Sequence, residues 1–555
     1  MKIKGSNIIL ECLKEQGVDT VFGYPGGQII PLYDALYDYR DDIHHYLTSH
    51  EQGATHAADG YARSTGKVGV AFATSGPGAT NTVTGIATAF MDSIPMVVIT
   101  GQVPRSLIGR DSFQEVDIYG ITLPVTKHNF FVSDIADLAK TVRDAFQIAM
   151  SGRQGPVLID VPKDIFNELY EYEKQPAVEK IPVKDKYTDD DIKEVAKLIS
   201  NAKRPLIYAG GGVTSANAAM QFRAFAEKAQ IPVVSTLMNL GCISAKSPLS
   251  LGMVGMHGHK EANLAVHDSD LIITIGARFS DRVTGDTKSF APNAFIVQID
   301  VDMSEIDKNV IVQKSILGEM PAILEKLTDS IEPMNHDSWL AELEAYKRPE
   351  NIPKDAFVPQ NVLKIVHEEM GDDTIVVTDV GQHQMWVAQE WPFTQPRRLI
   401  TSGGLGTMGF GLGAAIGSSI GNPGKRVVHI TGDGSFRMNL NELATASANN
   451  LPIISILMKN NVLGMVRQWQ KLFFEKRYSA TTLPDVIDYE KLAESFGLNG
   501  KKVNTLEDLK NAIKNAKASD KATLIICEID SAEDVFPMVP PGNAMSDQVF
   551  NAEDI

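Results

Sequence analysis

Cysteine is scarce in this chain of 555 residues, which contains three: Cys12, Cys242 and Cys527. They are odd in number, far apart in the sequence, and show no metal-ligand spacing. This pattern argues against a secreted protein stapled by disulfides and against a zinc site built from cysteines. We therefore expect the thiols to fill core volume in a reducing compartment, and we expect a cytoplasmic protein.

Long apolar runs are also missing. No window of the sequence approaches the roughly 20 apolar residues that a membrane-spanning helix needs. The N-terminal stretch "MKIKGSNIILECLKEQG" has a short apolar run followed directly by Glu11, which is not typical of a signal peptide. We therefore expect no membrane partner.

Positive charge is in deficit, since 52 Lys and Arg residues face 69 Asp and Glu residues and give a net charge of -17. A chain of this charge is a poor candidate for binding nucleic acid, which usually requires a basic face. The composition is otherwise that of a globular protein, with 43% hydrophobic and 22% charged residues. The length predicts three or four domains.

The dominant pattern is a short apolar strand, a glycine-rich turn, a helix and another strand. "KVGVAFATSGPGATNTVTGIATAFMDSIPMVVITG" shows it in the first third, and the middle and last thirds repeat it. This pattern indicates parallel sheets, so we predict an α/β protein with three doubly wound parallel-sheet domains in series. Two polar stretches mark the boundaries. The predicted division is an N-terminal domain over 1–170, a linker over 171–190, a central domain over 191–335, a linker over 336–357, a third domain over 358–535 and a C-terminal tail over 536–555.

Two oxygen-bearing side chains follow neighbouring predicted strands in the last third. Asp433 lies in "GDGS" directly after "RVVHIT", and Asn460 follows the strand "PIISILMK". The carboxyl ends of parallel strands share one edge of the sheet, so the two side chains should converge. Carboxylate and amide oxygens suit Mg²⁺, and the amides of Gly434 and Ser435 at a helix start suit an anion. Either residue alone is explained equally well as a helix cap or a turn residue. The pair predicts a site for Mg²⁺ and a diphosphate.

This spacing resembles the motif of thiamine diphosphate (ThDP) enzymes. The resemblance implies that Asp433, Asn460 and the main-chain carbonyl of Val462 hold the metal. Such enzymes also use a glutamate from another domain, which hydrogen-bonds the aminopyrimidine ring and promotes loss of the proton on the thiazolium carbon. "SHEQGATHAADGYAR" supplies Glu51 for that role. By itself Glu51 is equally compatible with an acid in the first turn of a helix.

Nearly the whole chain resembles the catalytic subunit of acetohydroxyacid synthase. The matching blocks include "VFGYPGG", "TSGPGATN", "DSFQEVD", "GLGTMGFGLGAAIG" and "NNVLGMVRQWQ". The resemblance implies ThDP, Mg²⁺ and FAD as cofactors, with FAD doing no net redox work. It implies decarboxylation of pyruvate and condensation of the hydroxyethyl unit with pyruvate or 2-ketobutyrate, in branched-chain amino acid biosynthesis. It also implies a homodimer or a dimer of dimers and a small regulatory subunit.

The resemblance further assigns roles to individual residues. The catalytic set is Glu51, Phe113, Gln114 and Lys163, and the pocket for the second keto acid is Gly27, Met465 and Trp469. Expected ThDP contacts are Tyr24, Pro25, Gly26, Glu51, Pro77, Asn81, Gln382, His383, Gly406, Met408, Gly432, Asp433, Gly434, Ser435, Asn460, Leu463, Gly464 and Met465. Within this set, the resemblance implies that Gly406 and Met408 meet the 4′-amino group of the cofactor and hold it in its bent conformation. Expected FAD contacts are Arg153, Gly210, Gly211, Gly212, Thr236, Leu237, Met256, His257, Gly276, Arg278 and Asp300.

The FAD assignment depends on the resemblance, because the residues alone do not decide it. Glycines after a strand, as in "YAGGGV", suit close approach to a pyrophosphate, but a tight turn explains them about as well. Asp300 could hold a ribose hydroxyl or cap the next segment. The family often has two aspartates in its "GARF" block, and here Ser280 stands in the first of those places, while Asp281 and Arg282 remain.

Four alternatives stay open at the level of sequence. A catabolic acetolactate synthase has the same chemistry without FAD, and the "GARFSDR" block argues against it. The second alternative is another ThDP-dependent 2-keto acid carboligase or a 2-keto acid decarboxylase. Glyoxylate carboligase lacks the glutamate, so Glu51 argues against that enzyme. A non-catalytic subunit that binds FAD or a nucleotide is disfavoured by the presence of Asp433, Asn460 and Glu51.

Overall fold

The computed structural model describes residues 1–347 and 352–554, which form three α/β units, each built on a six-stranded sheet. Every strand pair in these three sheets is parallel, with helices between successive strands. The predicted fold class, three doubly wound parallel-sheet units in series, is confirmed.

The first unit has the strand order β3-β2-β4-β5-β7-β6, which reverses direction between β2 and β4. Its strands are Lys2–Lys4 (β1), Thr20–Gly23 (β2), His44–Leu47 (β3), Gly69–Ala73 (β4), Met96–Gln102 (β5), His128–Phe131 (β6), Pro156–Pro162 (β7) and Leu169–Glu171 (β8). Its helices are Gly5–Glu15 (α1), Ile30–Asp38 (α2), Glu51–Thr65 (α3), Pro77–Asn81 (α4), Val83–Met91 (α5), Ile118–Thr122 (α6), Ile135–Met150 (α7) and Lys163–Asn167 (α8). The short strands β1 and β8 pair antiparallel, so the chain leaves this unit beside its own start.

The central unit has the order β11-β10-β9-β12-β13-β14, which reverses between β9 and β12. Its strands are Pro205–Ala209 (β9), Val233–Ser235 (β10), Ser250–Met253 (β11), Leu271–Ile275 (β12), Phe295–Asp300 (β13) and Lys314–Leu317 (β14). Its helices are Asp189–Asn201 (α9), Gly212–Ser215 (α10), Ala219–Ala229 (α11), Lys260–Asp268 (α12), Asp281–Thr284 (α13), Met320–Ser330 (α14) and Asp337–Tyr346 (α15). Ligands of such sheets bind in the crevice at the reversal.

The third unit has the order β16-β15-β17-β18-β20-β19. Its strands are Ile375–Thr378 (β15), Leu399–Ile400 (β16), Val427–Gly432 (β17), Ile454–Lys459 (β18), Asn499–Val503 (β19) and Thr523–Glu528 (β20). Its helices are Pro359–Met370 (α16), Gln382–Glu390 (α17), Phe410–Gly421 (α18), Asp433–Phe436 (α19), Leu443–Ala448 (α20), Gly464–Phe473 (α21), Tyr489–Ser495 (α22) and Leu506–Lys517 (α23). Single turns of 3₁₀ helix occur over the three units at Arg105–Leu107, Leu123–Val125, Leu237–Asn239, Met303–Glu305 and Leu440–Glu442.

The two stretches expected to be linkers differ in structure. Residues 172–188 contain neither helix nor strand, and α9 then begins behind a capping box made by Thr188 and Asp191. The polar composition of the second stretch, 336–357, predicts a linker, yet this stretch contains α15. Trp339 on this helix is 1% exposed and donates its indole N–H to the Pro205 carbonyl at 3.1 Å. One buried indole therefore fixes this part of the stretch to the central unit. Residues 348–351 of the stretch lie outside the described residues, as does Ile555 of the predicted tail.

Helices α3 and α18 join the first unit to the third. A Cβ added at Gly417 would lie 1.8 Å from the Ala57 carbonyl oxygen, and one at Gly60 would lie 2.1 Å from that of Ala414. The two helices thus meet at backbone distance, which glycine permits because it has no side chain. This contact ties the element that begins with Glu51 to the third unit.

In the described part of the chain, no helix combines the length and the apolar character needed to cross a bilayer. The three cysteines are buried and free.

Candidate active site

The loops that carry Asp433 and Asn460 meet at the carboxyl edge of the third sheet. Asp433 directly follows β17, Asn460 directly follows β18, and the two strands are parallel neighbours. The Asp433 carboxylate is 1% exposed and accepts hydrogen bonds from the amides of Asn461 at 2.8 Å and Gly434 at 3.1 Å. Between Asp433 and β18 the chain forms α19, a 3₁₀ turn and α20.

A cavity that is open to solvent lies at this edge, with a volume of about 450 Å³ when its solvent-filled mouth is included. Twelve of the residues expected to contact ThDP or the metal line it: Gln382, His383, Met408, Gly432, Asp433, Gly434, Ser435, Asn460, Val462, Leu463, Gly464 and Met465. Sequence reasoning missed five others: Val380, Gly381, Trp386, Met458 and Val466. Val380 and Gly381 lie two and three residues beyond the end of β15, on the same carboxyl edge, so a search of the whole loop after each strand would have found them.

The charges and donors at the cavity suit a metal and a diphosphate. Burial raises the pKa of the Asp433 carboxyl, while the amides of Asn461 and Gly434 oppose that shift. A bound cation would favour the ionised form and so oppose the effect of burial. Burial lowers the pKa of His383 to about 4, so this ring is neutral at pH 7. Its buried Nε2 has no hydrogen-bond partner among the described residues, and in the tautomer that carries the proton on Nε2 it would donate to a phosphate oxygen.

The groups at the cavity that could bind a metal ion all offer oxygen atoms, which are hard ligands. Asp433 offers a carboxylate, Asn460 an amide oxygen and Val462 a main-chain carbonyl on the same edge. Within residues 1–347 and 352–554, no group of three or more His, Cys, Asp and Glu side chains could hold a metal. A cation here would therefore take oxygens from these three residues, from the diphosphate and from water, which is how Mg²⁺ is commonly bound.

The residues expected at the pyrimidine ring gather at the carboxyl edge of the first sheet. Glu51 begins α3, is 8% exposed, and accepts a hydrogen bond from the Asn81 side chain at 3.0 Å. Gly26, after β2, packs so closely on Thr74 that an added Cβ would lie 2.4 Å from its methyl group. The edge lies at the reversal of the strand order between β2 and β4. Tyr24 and Pro25 precede Gly26 there, and Pro77 begins α4.

In the described part of the chain, the residues around Glu51 do not line the cavity beside Asp433. The cavity beside Asp433 is lined by residues 380–466, all from the third unit. Glu51, Tyr24 and Pro77 are absent from its walls.

The expected substrate residues fall into two places. Lys163 begins α8 and donates its ammonium group to the Gly27 carbonyl at 2.8 Å. Phe113 is 83% exposed. Gln114 has a φ of 61° and its backbone packs against Gly76, where an added Cβ would lie 2.9 Å from the glutamine carbonyl oxygen. Lys163, Gly27 and Gln114 thus belong to the first unit, like Glu51.

Met465 and Trp469 lie one turn apart on α21, and only Met465 is among the cavity residues. The indole meets Phe473 edge-on, with ring centres 5.5 Å apart. On another side the guanidinium carbon of Arg282, from the central unit, lies 5.9 Å from its ring centre. Sequence reasoning placed Arg282 only in the "GARFSDR" block, because no local pattern connects it with Trp469.

Most of the expected FAD residues lie at carboxyl ends of central strands. Gly210 to Gly212 follow β9, Thr236 and Leu237 follow β10, Gly276 follows β12, and Asp300 ends β13. A Cβ on Gly212 would lie 2.7 Å from the Cα of Gly276. Gly210, Gly212 and Gly276 are therefore required by the contact between these two turns, whether or not a pyrophosphate binds.

Several of these residues already have protein partners. Arg153 pairs with Glu305 at 2.6 Å, across the boundary between the first and central units. Asp300 accepts hydrogen bonds from the amides of Val301 and Asp302, which is the capping role considered for it. The ring of His257 lies 3.3 Å from the Pro537 carbonyl, and the Met256 carbonyl accepts from the Val539 amide at 2.7 Å. Arg278 lies two residues beyond Gly276, and its carbonyl accepts from Asn309.

Comparison with known proteins matches all three units. The chain matches the families described as thiamine pyrophosphate enzyme, N-terminal TPP binding domain over residues 3–121, central domain over 192–327, and C-terminal TPP binding domain over 379–527. It is 45% identical over 552 residues to acetolactate synthase isozyme 2 large subunit of Escherichia coli (strain K12), covering 99% of each chain. It is 47% identical over 563 residues to the acetolactate synthase large subunit of Parasynechococcus marenigrum, covering 99% of this chain and 91% of the relative. It is 43% identical over 546 residues to that of Lactococcus lactis, covering 97% and 94%.

Proposed function

Because the chain belongs to the family of acetolactate synthase large subunits, which are ThDP enzymes, we propose that it joins a two-carbon unit from pyruvate to a second 2-keto acid. The products are 2-acetolactate from two pyruvates and 2-aceto-2-hydroxybutyrate from pyruvate and 2-ketobutyrate. The resemblance found in the sequence and the dependence on ThDP are confirmed by the family matches. The observation that carries the proposal is the meeting of the Asp433 and Asn460 loops at a cavity.

In this proposal the third unit holds the diphosphate end of ThDP. Asp433, Asn460 and the Val462 carbonyl take Mg²⁺, and His383 donates to a phosphate oxygen. The bound cofactor supplies an electron sink for decarboxylation. The apolar walls at Met408, Leu463 and Met465 exclude water from that reaction.

The proposed active site is shared between two copies of the chain. The diphosphate cavity is lined by residues 380–466, and Glu51 lies with Asn81 at the edge of a different sheet. A second copy of the chain would bring its Glu51 edge to this cavity. Exposed apolar side chains such as Phe113 and Val466 favour such a contact. We therefore propose a homodimer or a dimer of dimers.

Complementation tests the shared site. Glu51→Gln and Asp433→Ala chains, each inactive alone, are co-expressed. A mixed dimer with shared sites contains one site free of both substitutions, so activity should return. If each site were built within one chain, every site of the mixed dimer would carry a substitution and the mixture would stay inactive.

The second keto acid is proposed to bind between Arg282 and Trp469. A guanidinium group suits a carboxylate, and the indole beside it offers an apolar surface to the ethyl group of 2-ketobutyrate. Lys163, Gly27 and Gln114 of the first unit are proposed to line the approach from the side of Glu51.

FAD is proposed to lie along the carboxyl edge of the central sheet, against the turns after β9, β10 and β12. A yellow protein that releases FAD on denaturation would support this assignment, and a colourless active enzyme would favour the FAD-independent type.

A small regulatory subunit is a further proposed partner, supported by the relatives' description as large subunits. Three free, buried cysteines support the proposed cytoplasmic location.

Product analysis tests the proposed function directly. The full chain is incubated with pyruvate, with and without 2-ketobutyrate, in the presence of ThDP, Mg²⁺ and FAD. Acetolactate should form, together with acetohydroxybutyrate when 2-ketobutyrate is present, and neither should form without ThDP and Mg²⁺. Acetaldehyde as the main product would identify a decarboxylase instead.

A further inference from the structure

The segment from Thr401 to Gly409 carries Gly406 and Met408 from β16 to α18. Met408 lines the cavity, and Gly406 and Gly409 adopt φ values of 70° and 82°. These conformations favour glycine, so the shape of the segment is set at two points by its own sequence. Its place in the molecule is set from outside the third unit, by helices of the first.

Asp92, the C-cap residue directly after α5 in the first unit, accepts hydrogen bonds from two successive amides of this segment. Its carboxylate accepts from Gly404 at 2.7 Å and from Gly403 at 2.9 Å, and its side chain is 0% exposed. Arg63 lies 3.0 Å from the same carboxylate and donates to the Thr401 carbonyl at 2.8 Å. A Cβ at Gly404 would lie 2.9 Å from the Met91 carbonyl oxygen, so glycine is needed for this approach.

Thr88 lies one turn before Asp92 on the same face of α5. Its hydroxyl is 2.7 Å from that of Thr407, and both side chains are buried. The helix therefore contacts the segment on both sides of Gly406, at Gly403–Gly404 and at Thr407. The same helix packs on α3, where an added Cβ at Gly85 would lie 1.9 Å from the Thr55 hydroxyl.

We propose that α5, through Asp92 and Thr88, positions Gly406 and Met408 for the reacting end of the cofactor. The inference rests on the proposed function, and it makes Asp92 and Thr88 positioning residues that do not touch the cofactor. Because α3 begins with Glu51, α5 also fixes the segment relative to that glutamate within one chain. In the proposed dimer, the segment belongs to the active site on its own chain's cavity, while Glu51 belongs to the site on the other chain's cavity. Helix α5 therefore connects the two active sites.

Asp92→Asn tests this role with little change in shape. The variant keeps one acceptor but presents an amide N–H₂ to one of the two glycine amides, and it weakens the pairing with Arg63. Asp270→Asn is a matched control, because Asp270 also accepts two successive amides, those of Lys203 at 2.8 Å and Arg204 at 3.0 Å, in the central unit.

Three measurements on the full chain separate positioning from general damage. Amide hydrogen exchange of the cofactor-free protein should be about tenfold faster or more at 403–404 in Asp92→Asn, and unchanged there in the control. Calorimetric affinity for ThDP with Mg²⁺ should stay within about threefold, since the diphosphate ligands are untouched. Proton exchange at the thiazolium carbon of bound ThDP should fall about 10- to 100-fold, the cost of a small misplacement.

Other results of these measurements would overturn the positioning role of Asp92. Exchange at the thiazolium carbon within about twofold of wild type would overturn the proposal, as would an equal loss in Asp270→Asn. Loss of ThDP affinity in parallel with activity would show that Asp92 supports the whole cavity instead. Should Asp92→Asn fail to fold, Thr88→Val decides, and wild-type behaviour in that variant would overturn the proposal. Failure of the wild-type chain to bind ThDP would refute the proposed function itself.

Discussion

Replacement of Glu51 by glutamine separates the role of its charge from its place in the fold. The side chain begins α3 and is 8% exposed. Among the described residues, Asn81 is its hydrogen-bond donor, at 3.0 Å. A glutamine oxygen can accept the same bond, so Glu51→Gln removes a negative charge and leaves the contact in place.

The expected effects on stability and on chemistry differ widely. A carboxylate in the first turn of a helix stabilises it by about 0.3–1 kcal/mol through the helix dipole. Loss of a positioned proton-transfer group slows a reaction about 10²–10⁴-fold, which corresponds to roughly 3–5 kcal/mol of barrier. We therefore expect a folded chain that binds ThDP normally and activates it very slowly.

The assay is exchange of the proton on the thiazolium carbon of bound ThDP, measured with the urea midpoint of the same protein. Glu11→Gln is the matched control, because Glu11 also accepts a hydrogen bond from a neutral side chain, the hydroxyl of Tyr39 at 2.9 Å. The control should exchange at the wild-type rate. Wild-type exchange in Glu51→Gln would refute the assignment of Glu51.

Three further outcomes are expected. Asp433→Ala should abolish Mg²⁺-dependent binding of ThDP, because the proposed metal loses its charged protein ligand; unchanged affinity by calorimetry would place the metal elsewhere. Trp469→Leu should reduce the preference for 2-ketobutyrate over pyruvate by about 10-fold or more, since one methylene in an apolar pocket contributes about 1–3 kcal/mol. An unchanged product ratio with a collapse of total activity would give Trp469 a purely structural role. Burial lowers the pKa of His56 from 6.5 to about 4, so the unfolded chain binds this proton more readily and stability falls as pH drops from 6.5 towards 4. His56→Gln should remove roughly 1–3 kcal/mol of that loss, measured by urea unfolding at several pH values.

Local sequence pattern is sufficient to predict the fold and to bring together the residues of one half of the proposed site. The alternation of short apolar strands, glycine turns and helices predicts parallel sheets, and the positions of Asp433 and Asn460 directly after two such strands predict that they share one sheet edge. The reason is that a right-handed βαβ unit leaves little freedom: the ends of successive parallel strands must meet at one edge. The carboxylate of Asp433 and the amide of Asn460 then indicate which ligand this edge is suited to bind, namely Mg²⁺ with a diphosphate.

Average composition predicts structure less well where one buried residue determines the structure of a polar stretch. The stretch 336–357 is polar on average, which indicates a linker. A single buried indole, Trp339, holds its helical part against Pro205. The average polarity of a stretch does not reveal such a residue, because burial of one large apolar side chain can stabilise the position of a helix whose other residues are polar.

Tertiary structure alone decided the contacts between units. The sequence by itself determined the three sheets, the residues at their carboxyl edges and the chemistry that those residues support. It could not show that Arg282 meets Trp469, or that Asp92 holds Gly403 and Gly404 from another unit. Such contacts join residues that are about 190 and 310 positions apart in the sequence, and they depend on strand order and on glycine-permitted packing of α3 on α18. Periodicity encodes which face of an element is buried, but it does not encode which distant element will cover that face.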